Sequence, residues 1–228
     1  MPPAVLVRVR ARADRELDAA RYRMRVRASR ARHRSGHAGV ALTFDDGPMP
    51  GQTDRVLDVL ATLGVPATFF CVGRNAERHP ALLRRIAAEG HAVGSHSLTH
   101  PHPRDLTPQQ VREEYSAGRA AVEQALGAPA ALFRPPHGHL SLRTSGTLRR
   151  HRPVLWSVDP EDWRASTGRE RIEQVVSAAV DGDVVLLHDW IEQPEAPECL
   201  DRSPTVEALP AVVAAVRDRG LSFVRLTP

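Results

Sequence analysis

From residue 38 to the C-terminus, short apolar runs alternate with longer stretches whose apolar residues recur at helical spacing. The short runs fall at 39–44, 66–72, 91–95, 131–134, 153–158, 183–188 and 222–226. Each is bounded by turn or polar residues and is too short for a buried helix, so each reads as a strand. The longer stretches, at about 53–63, 79–89, 107–126, 141–150, 168–180 and 204–219, read as helices. Thr107-Pro108 has the form of an N-cap followed by proline at the first helical position. Gly64, Gly90 and Gly220 each sit just past a helix, where a left-handed residue closes the last turn. Regular strand–helix alternation predicts an α/β fold with a parallel sheet and right-handed crossovers. Residues 189–204, rich in proline and acid, make a connection long enough to be a functional loop over the mouth of a site.

Charge divides the chain in two. All 31 basic residues are arginine; there is no lysine. Residues 1–34 hold 11 arginines against Asp14, Glu16 and Asp18, a net of +8, while the rest holds 20 arginines against 24 acids, a net of −4. The division predicts a basic arm, 1–37, ahead of one domain, 38–228. Such an arm could touch nucleic acid or an anionic membrane surface, or be a solvated helix or loose terminus. Cys71 and Cys199 form no ligand-spaced pair, so neither a disulfide framework nor a zinc ribbon is expected. No apolar run has the length of a membrane span. The opening MPPAVLVRVRAR is interrupted by Arg8 and Arg10 and lacks a signal-peptide core, so a cytoplasmic location is the expectation, with secretion through an unusual or misassigned start as the alternative.

The unusual residues collect at strand ends. Asp45-Asp46-Gly-Pro closes the first strand, SHSLTHPH the third, RPPHG the fourth, DPEDW the fifth and HDW the sixth. In a parallel barrel or doubly wound sheet those ends share one face or edge, where active sites lie. His96 and His100, spaced i, i+4, would point the same way on one helical turn. Two histidines with one carboxylate, and a position left open for water, make a catalytic zinc arrangement. The Asp45-Asp46 pair then has a physical purpose: one carboxylate binds the cation, and the other stays beside it as general base. His91 and His102 read as packing or surface histidines.

TFDDGP, HSLTH, RPPHG, DPEDW and LLHD, in that order, resemble the five motifs of the polysaccharide deacetylase (NodB-like) domain, carbohydrate esterase family 4, over roughly residues 38–226. The resemblance implies a distorted (β/α)7 barrel with parallel strands, its site at their C-terminal ends. It also implies metal-dependent removal of N- or O-acetyl groups from sugars. Position by position, it implies Asp45 as base, Asp46, His96 and His100 as metal ligands, and Arg134 as the brace of the base carboxylate. His188 would be the acid, Asp162 its orienting partner, and Trp163 and Leu187 the wall around the acetyl methyl. The ion implied is divalent, zinc first, with cobalt or nickel also able to occupy such a triad. His137 departs from the pattern, standing where an aromatic is usual; its backbone N–H survives the exchange, so the departure bears on substrate fit. His139 reads as a loop histidine within reach of the groove.

Two rivals remain at this level. The same architecture could hydrolyse other non-peptide C–N bonds in a small metabolite. A catalytically silent binding protein using the basic arm would be expected to lack the base, a ligand or the acid, and this chain keeps all of them.

Overall fold

A computed structural model describes residues 18–228. In chain order, helix α1 occupies 18–29, followed by β1 (Ala41–Asp45), α2 (Thr53–Leu63), β2 (Thr68–Cys71), α3 (Gly73–Arg78), α4 (Pro80–Ala88) and β3 (Ala92–Ser95). Then come α5 (Pro108–Leu126), β4 (Leu132–Phe133), α6 (Ser145–His151), α7 (Arg169–Val176), β5 (Val184–His188) and α8 (Ser203–Asp218). The five strands form one sheet in the order β4-β3-β2-β1-β5, and every pairing is parallel.

Two of the seven expected strands appear only as isolated bridges. The segment 153–158 leaves β4 and reaches β5, so it can pair with each over no more than a residue or two. The Val154 N–H donates to the Phe133 carbonyl (2.9 Å), and the Leu186 N–H donates to the Val158 carbonyl (2.9 Å). This segment bridges the two outer strands and closes the sheet toward a distorted barrel. The segment 222–226 runs beside the start of β1, where the Val40 N–H donates to the Ser222 carbonyl (2.8 Å) and the Val224 N–H to the Val40 carbonyl (3.0 Å).

Alternation along the strands separates two cores. Leu42, Phe44, Phe69 and Cys71 face outward into the helix layer, while Ala41 and Phe70 face inward with Leu132, Val154 and Val184. The interior stack supports the site from below. Helix ends follow the sequence signals: Thr107 and Gln110 form a capping box on α5, and Gly64 closes α2 in the left-handed region (φ 60°). Helix α3 is not anticipated by periodicity, being only 6 residues long.

The basic segment is partly outside the described residues: Arg8, Arg10, Arg12 and Arg15 fall there. Its remainder lies against the body. Val26 packs on the cluster of Phe133, Leu140, Leu148 and Leu155, and the Arg32 N–H donates to the Pro153 carbonyl (3.0 Å). Among the described residues, no helix is long and apolar enough to cross a membrane.

Candidate active site

Strand register sets the first pair of groups. Asp45 ends β1 and His188 ends β5, and the two are Cα partners across adjacent parallel strands. Asp46 would point away by simple alternation, but it adopts φ 77°, which turns the chain. Both carboxylates therefore face His96: its Nε2 lies 3.7 Å from Asp45 Oδ2 and 3.5 Å from Asp46 Oδ1. Side chain-bearing residues in this region of φ are uncommon and cluster at functional sites; Ser97 (68°), His100 (55°) and His137 (56°) share it here.

His96 and His100 converge from a loop and not from the helical turn that their spacing suggests. The loop is held on three sides. The Gly73 and Arg74 N–H groups of α3 donate to the Ser97 and Leu98 carbonyls (2.9 and 3.0 Å), and Glu114 of α5 accepts from the Leu98 and Thr99 N–H groups (3.2 and 3.0 Å). At Gly118 the backbone of α5 touches Ser97 so closely that a Cβ would overlap it.

Asp46, His96 and His100 bring one ligand atom each to within 4.8 Å of one another, and all three are buried. His96 Nδ1 lies 2.8 Å from the Arg134 carbonyl, which can only accept, so Nδ1 carries the proton and Nε2 presents its lone pair. His100 Nε2 lies 3.4 Å from Asp46 Oδ1. Asp46 Oδ2 accepts from the Glu192 N–H (2.9 Å), while Oδ1 is buried with no hydrogen-bond partner among the described residues. A buried carboxylate oxygen left bare is costly, and a cation is the partner that this donor set suits. Burial, reinforced by the neighbouring His100, holds His96 well below the ordinary imidazole pKa, in the neutral form that ligates. Burial would raise Asp46, but His100 and His188 oppose it and the balance lies below the usual carboxylate range. The residues thus fit a divalent ion. His100→Ala should weaken ion binding by more than the roughly 10–100-fold typical of losing an outer-shell partner. Metal content after dialysis checks this, and an unchanged content would remove His100 from the ligand set.

Arg134 holds Asp45 from below. It is fully buried, and its Nη1 donates to Asp45 Oδ1 (2.6 Å) and to Thr43 Oγ1 (2.9 Å). Nε and Nη2 donate to the Val154 and Leu155 carbonyls (3.0 and 3.3 Å), and the guanidinium lies 4.2 Å from the Phe70 ring centroid. Burial pushes the Asp45 carboxyl up to about 6, against the pull of Arg134 and His188.

His188 has its own support. Its Nδ1 lies 2.7 Å from Asp162 Oδ1, and its backbone N–H donates to Asp162 Oδ2 (3.0 Å). Burial opposes the imidazolium, yet the Asp162 charge and hydrogen bond prevail and raise His188 to about 9. Two residues that sequence reasoning missed hold Asp162 in turn: Thr205 Oγ1 donates to its Oδ2 (2.9 Å), and Arg202 Nη1 donates to its carbonyl (2.8 Å). Neither lies in a recognisable motif. Asp189, adjacent to His188, accepts from Thr53 Oγ1 (2.5 Å) and the Gly47 N–H (3.3 Å), which ties the turn after Asp46 to β5.

Asp45, Asp46, His96, His100 and His188 line a cavity of about 330 Å³. Trp163 and His137 lie on its wall, as does Asp159, which the DPEDW string contains but the sequence reading left without a role. Leu187 does not. The sequence reading placed it against the substrate, but alternation from His188 turns it outward into the helix-facing core, and Leu186 lines the cavity instead. The 189–204 connection does reach the mouth, through Ile191 and Gln193.

The polysaccharide deacetylase family model matches residues 33–152, just over half of the chain. A chitooligosaccharide deacetylase of Bradyrhizobium sp. is 42% identical over 198 residues, covering 83% of this chain and 89% of that protein. A peptidoglycan-N-acetylglucosamine deacetylase of Bacillus cereus is 36% identical over 193 residues, covering 82% of this chain and 86% of its own. A family 4 carbohydrate esterase from Streptomyces lividans, solved in complex with acetate, superposes with a TM-score of 0.74 at 33% identity, covering 84% of this chain and 94% of that one. The family model spans Asp45, Asp46, His96, His100 and Arg134, and with a relative 42% identical over 83% of the chain it shows that the chain belongs to the polysaccharide deacetylase family.

Proposed function

We propose that this protein removes the acetyl group from N-acetylglucosamine units of an oligosaccharide or glycan strand. Asp45 is the base, His188 the acid, and Asp46, His96 and His100 hold a divalent ion, zinc first among the candidates. The observation that carries the reading is the register of Asp45 with His188 on adjacent strands, beside the buried Asp/His/His cluster. The names of the similar proteins supply the substrate class: chitooligosaccharides for one and peptidoglycan N-acetylglucosamine for another.

When bound, the ion polarises the acetyl carbonyl and makes water a stronger nucleophile. Asp45 takes the proton from the attacking water. Arg134 fixes the carboxylate through Oδ1 and leaves Oδ2 directed at the site. The family resemblance implies the backbone N–H of His137 as donor to the developing oxyanion. His188 gives its proton to the departing amine, and Asp162 keeps it charged until then. An amine leaves poorly without that proton, so the acid matters more for N-acetyl than for O-acetyl substrates.

The His188–Asp162 pair makes a pH prediction. The acid must be protonated, so activity falls as pH rises through the raised pKa of about 9. Asp162→Asn removes the charge that raises it and should move this alkaline limb to lower pH. A pH–kcat profile of the two proteins checks the shift, and an unmoved limb would separate Asp162 from the acid.

The reading is tested by acetate release from N-acetylglucosamine oligomers, peptidoglycan fragments, acetylated xylan and monomeric acetamido sugars. Release from the oligomers or fragments is expected. Release from none of them would overturn the assignment in favour of another C–N hydrolase.

A further inference from the structure

Beside the catalytic cavity lies a second polar cavity, of about 400 Å³, that the reaction does not use. Arg25 of α1, Arg104, Arg143, His139 and Ser141 line it, and among the described residues no acidic side chain does. Some exposed arginines elsewhere pair with carboxylates, as Arg85 does with Asp58 and Glu89, and Arg169 with Glu173. Among the described residues, Arg25, Arg104 and Arg143 stand together without one.

Their convergence is built by separate pieces of structure. Arg25 is placed by its neighbour Val26, which anchors α1 on the Phe133–Leu140 cluster. The Arg104 N–H donates to His102 Nδ1 (3.1 Å) at the start of the turn Pro103–Asp105, and the Arg143 N–H donates to Ser141 Oγ (3.2 Å) at the turn Leu142–Thr144. Burial first, then the charges at His102, Arg104 and Arg25, hold His139 below the ordinary imidazole value, so the ring is neutral and can donate or accept.

A chain of rings joins this cavity to the metal triad. His139 lies 5.4 Å from His102, His102 stacks on His137 at 4.7 Å, and His137 lies 4.6 Å from the ligand His100. A glycan with one sugar at the triad and extending along these rings would carry a further sugar toward the arginines. Guanidinium forks pair bidentately with carboxylate and phosphate, and gain nothing comparable from a neutral hydroxyl.

We propose that Arg25, Arg104 and Arg143 form an anion subsite for a carboxylate or phosphate carried by a sugar near the one that loses its acetyl group. The enzyme would then favour an anionic glycan over a neutral chitin-type oligomer of the same length. The position of the reacting sugar rests on the deacetylase reading; binding of the anion does not.

The test compares four matched oligosaccharides: neutral N-acetylglucosamine, one bearing an N-acetylmuramic acid carboxylate, that carboxylate converted to its amide, and one bearing a 6-phosphate. At low salt the wild type should show a KM about tenfold lower for at least one anionic oligomer than for its neutral partner. The advantage should shrink at high salt. The triple variant R25Q/R104Q/R143Q should lose it while keeping the kinetics on the neutral oligomers. The arm that shows the effect identifies carboxylate or phosphate. Equal KM values across charged and neutral oligomers, or an advantage that survives in the triple variant, would overturn the proposal. If no oligomer releases acetate, the deacetylase reading fails by itself; calorimetric binding of the same oligomers to both proteins then decides the anion subsite.

Discussion

Asp45→Asn should lower acetate release by a factor of about 10²–10⁴, the range typical of removing a general base, while leaving the bound ion in place. The separation follows from geometry. Asp45 Oδ1 is occupied by Arg134 at 2.6 Å, and the buried oxygen without a partner belongs to Asp46, not to Asp45. Asparagine preserves the shape but cannot take a proton from water, and it turns an amide toward or away from a buried guanidinium that needs an acceptor. Some stability is therefore lost too, so the assay belongs well below the variant's unfolding temperature. Metal content and rate measured on one sample decide the matter. Full activity would refute the role of Asp45, and loss of the ion would make it a ligand.

Arg134→Met should be among the most destabilising single substitutions in the chain. It takes from a buried carboxylate its hydrogen-bonded counter-charge and leaves the Val154 and Leu155 carbonyls with no donor. Removing one member of a buried pair costs about 3–5 kcal/mol, which for a domain of this size corresponds to roughly 6–20 °C in Tm. The same change favours the protonated form of Asp45, whose carboxyl is already raised to about 6 by burial, and so disarms the base. Arg134→Lys keeps the charge but has no fork with which to hold Asp45, Thr43 and two carbonyls together, so it should recover only part of the loss. Thermal unfolding of the three proteins checks the order. A methionine variant as stable as the wild type would contradict the bracing role given to Arg134.

What the sequence revealed, and what it hid, divides along physical lines. Strand ends were legible because a run such as VALTF stops at two carboxylates, and nothing but a turn or a site explains charges there. Helix α5 was legible at its start, since Thr107-Pro108 carries local capping chemistry. The segments at 153–158 and 222–226 looked like strands because apolar content does not report how many partners a segment meets. Side-chain direction was the subtler loss. Leu187 sits in the right string, but only the register against β1 shows that Leu186 and His188 face inward and Leu187 does not. Arg202, Thr205 and Asn75 were invisible because each acts through a contact far away in sequence: Asn75 Nδ2 donates to the Asp46 carbonyl (2.9 Å), and no local pattern announces that. The His96–His100 pair was found for a partly mistaken reason. The spacing predicted a helical turn, and the convergence comes instead from a loop with Ser97 and His100 in the left-handed region.

The central claim is that the Asp46/His96/His100 cluster holds an ion on which deacetylation depends. It is tested most directly by acetate release from N-acetylglucosamine oligomers with the wild-type protein as purified, after chelation and dialysis, and after return of one equivalent of zinc. The account predicts release that disappears on chelation and returns with zinc in the wild type, but does not return in His100→Ala. Undiminished release from the metal-stripped protein would contradict it.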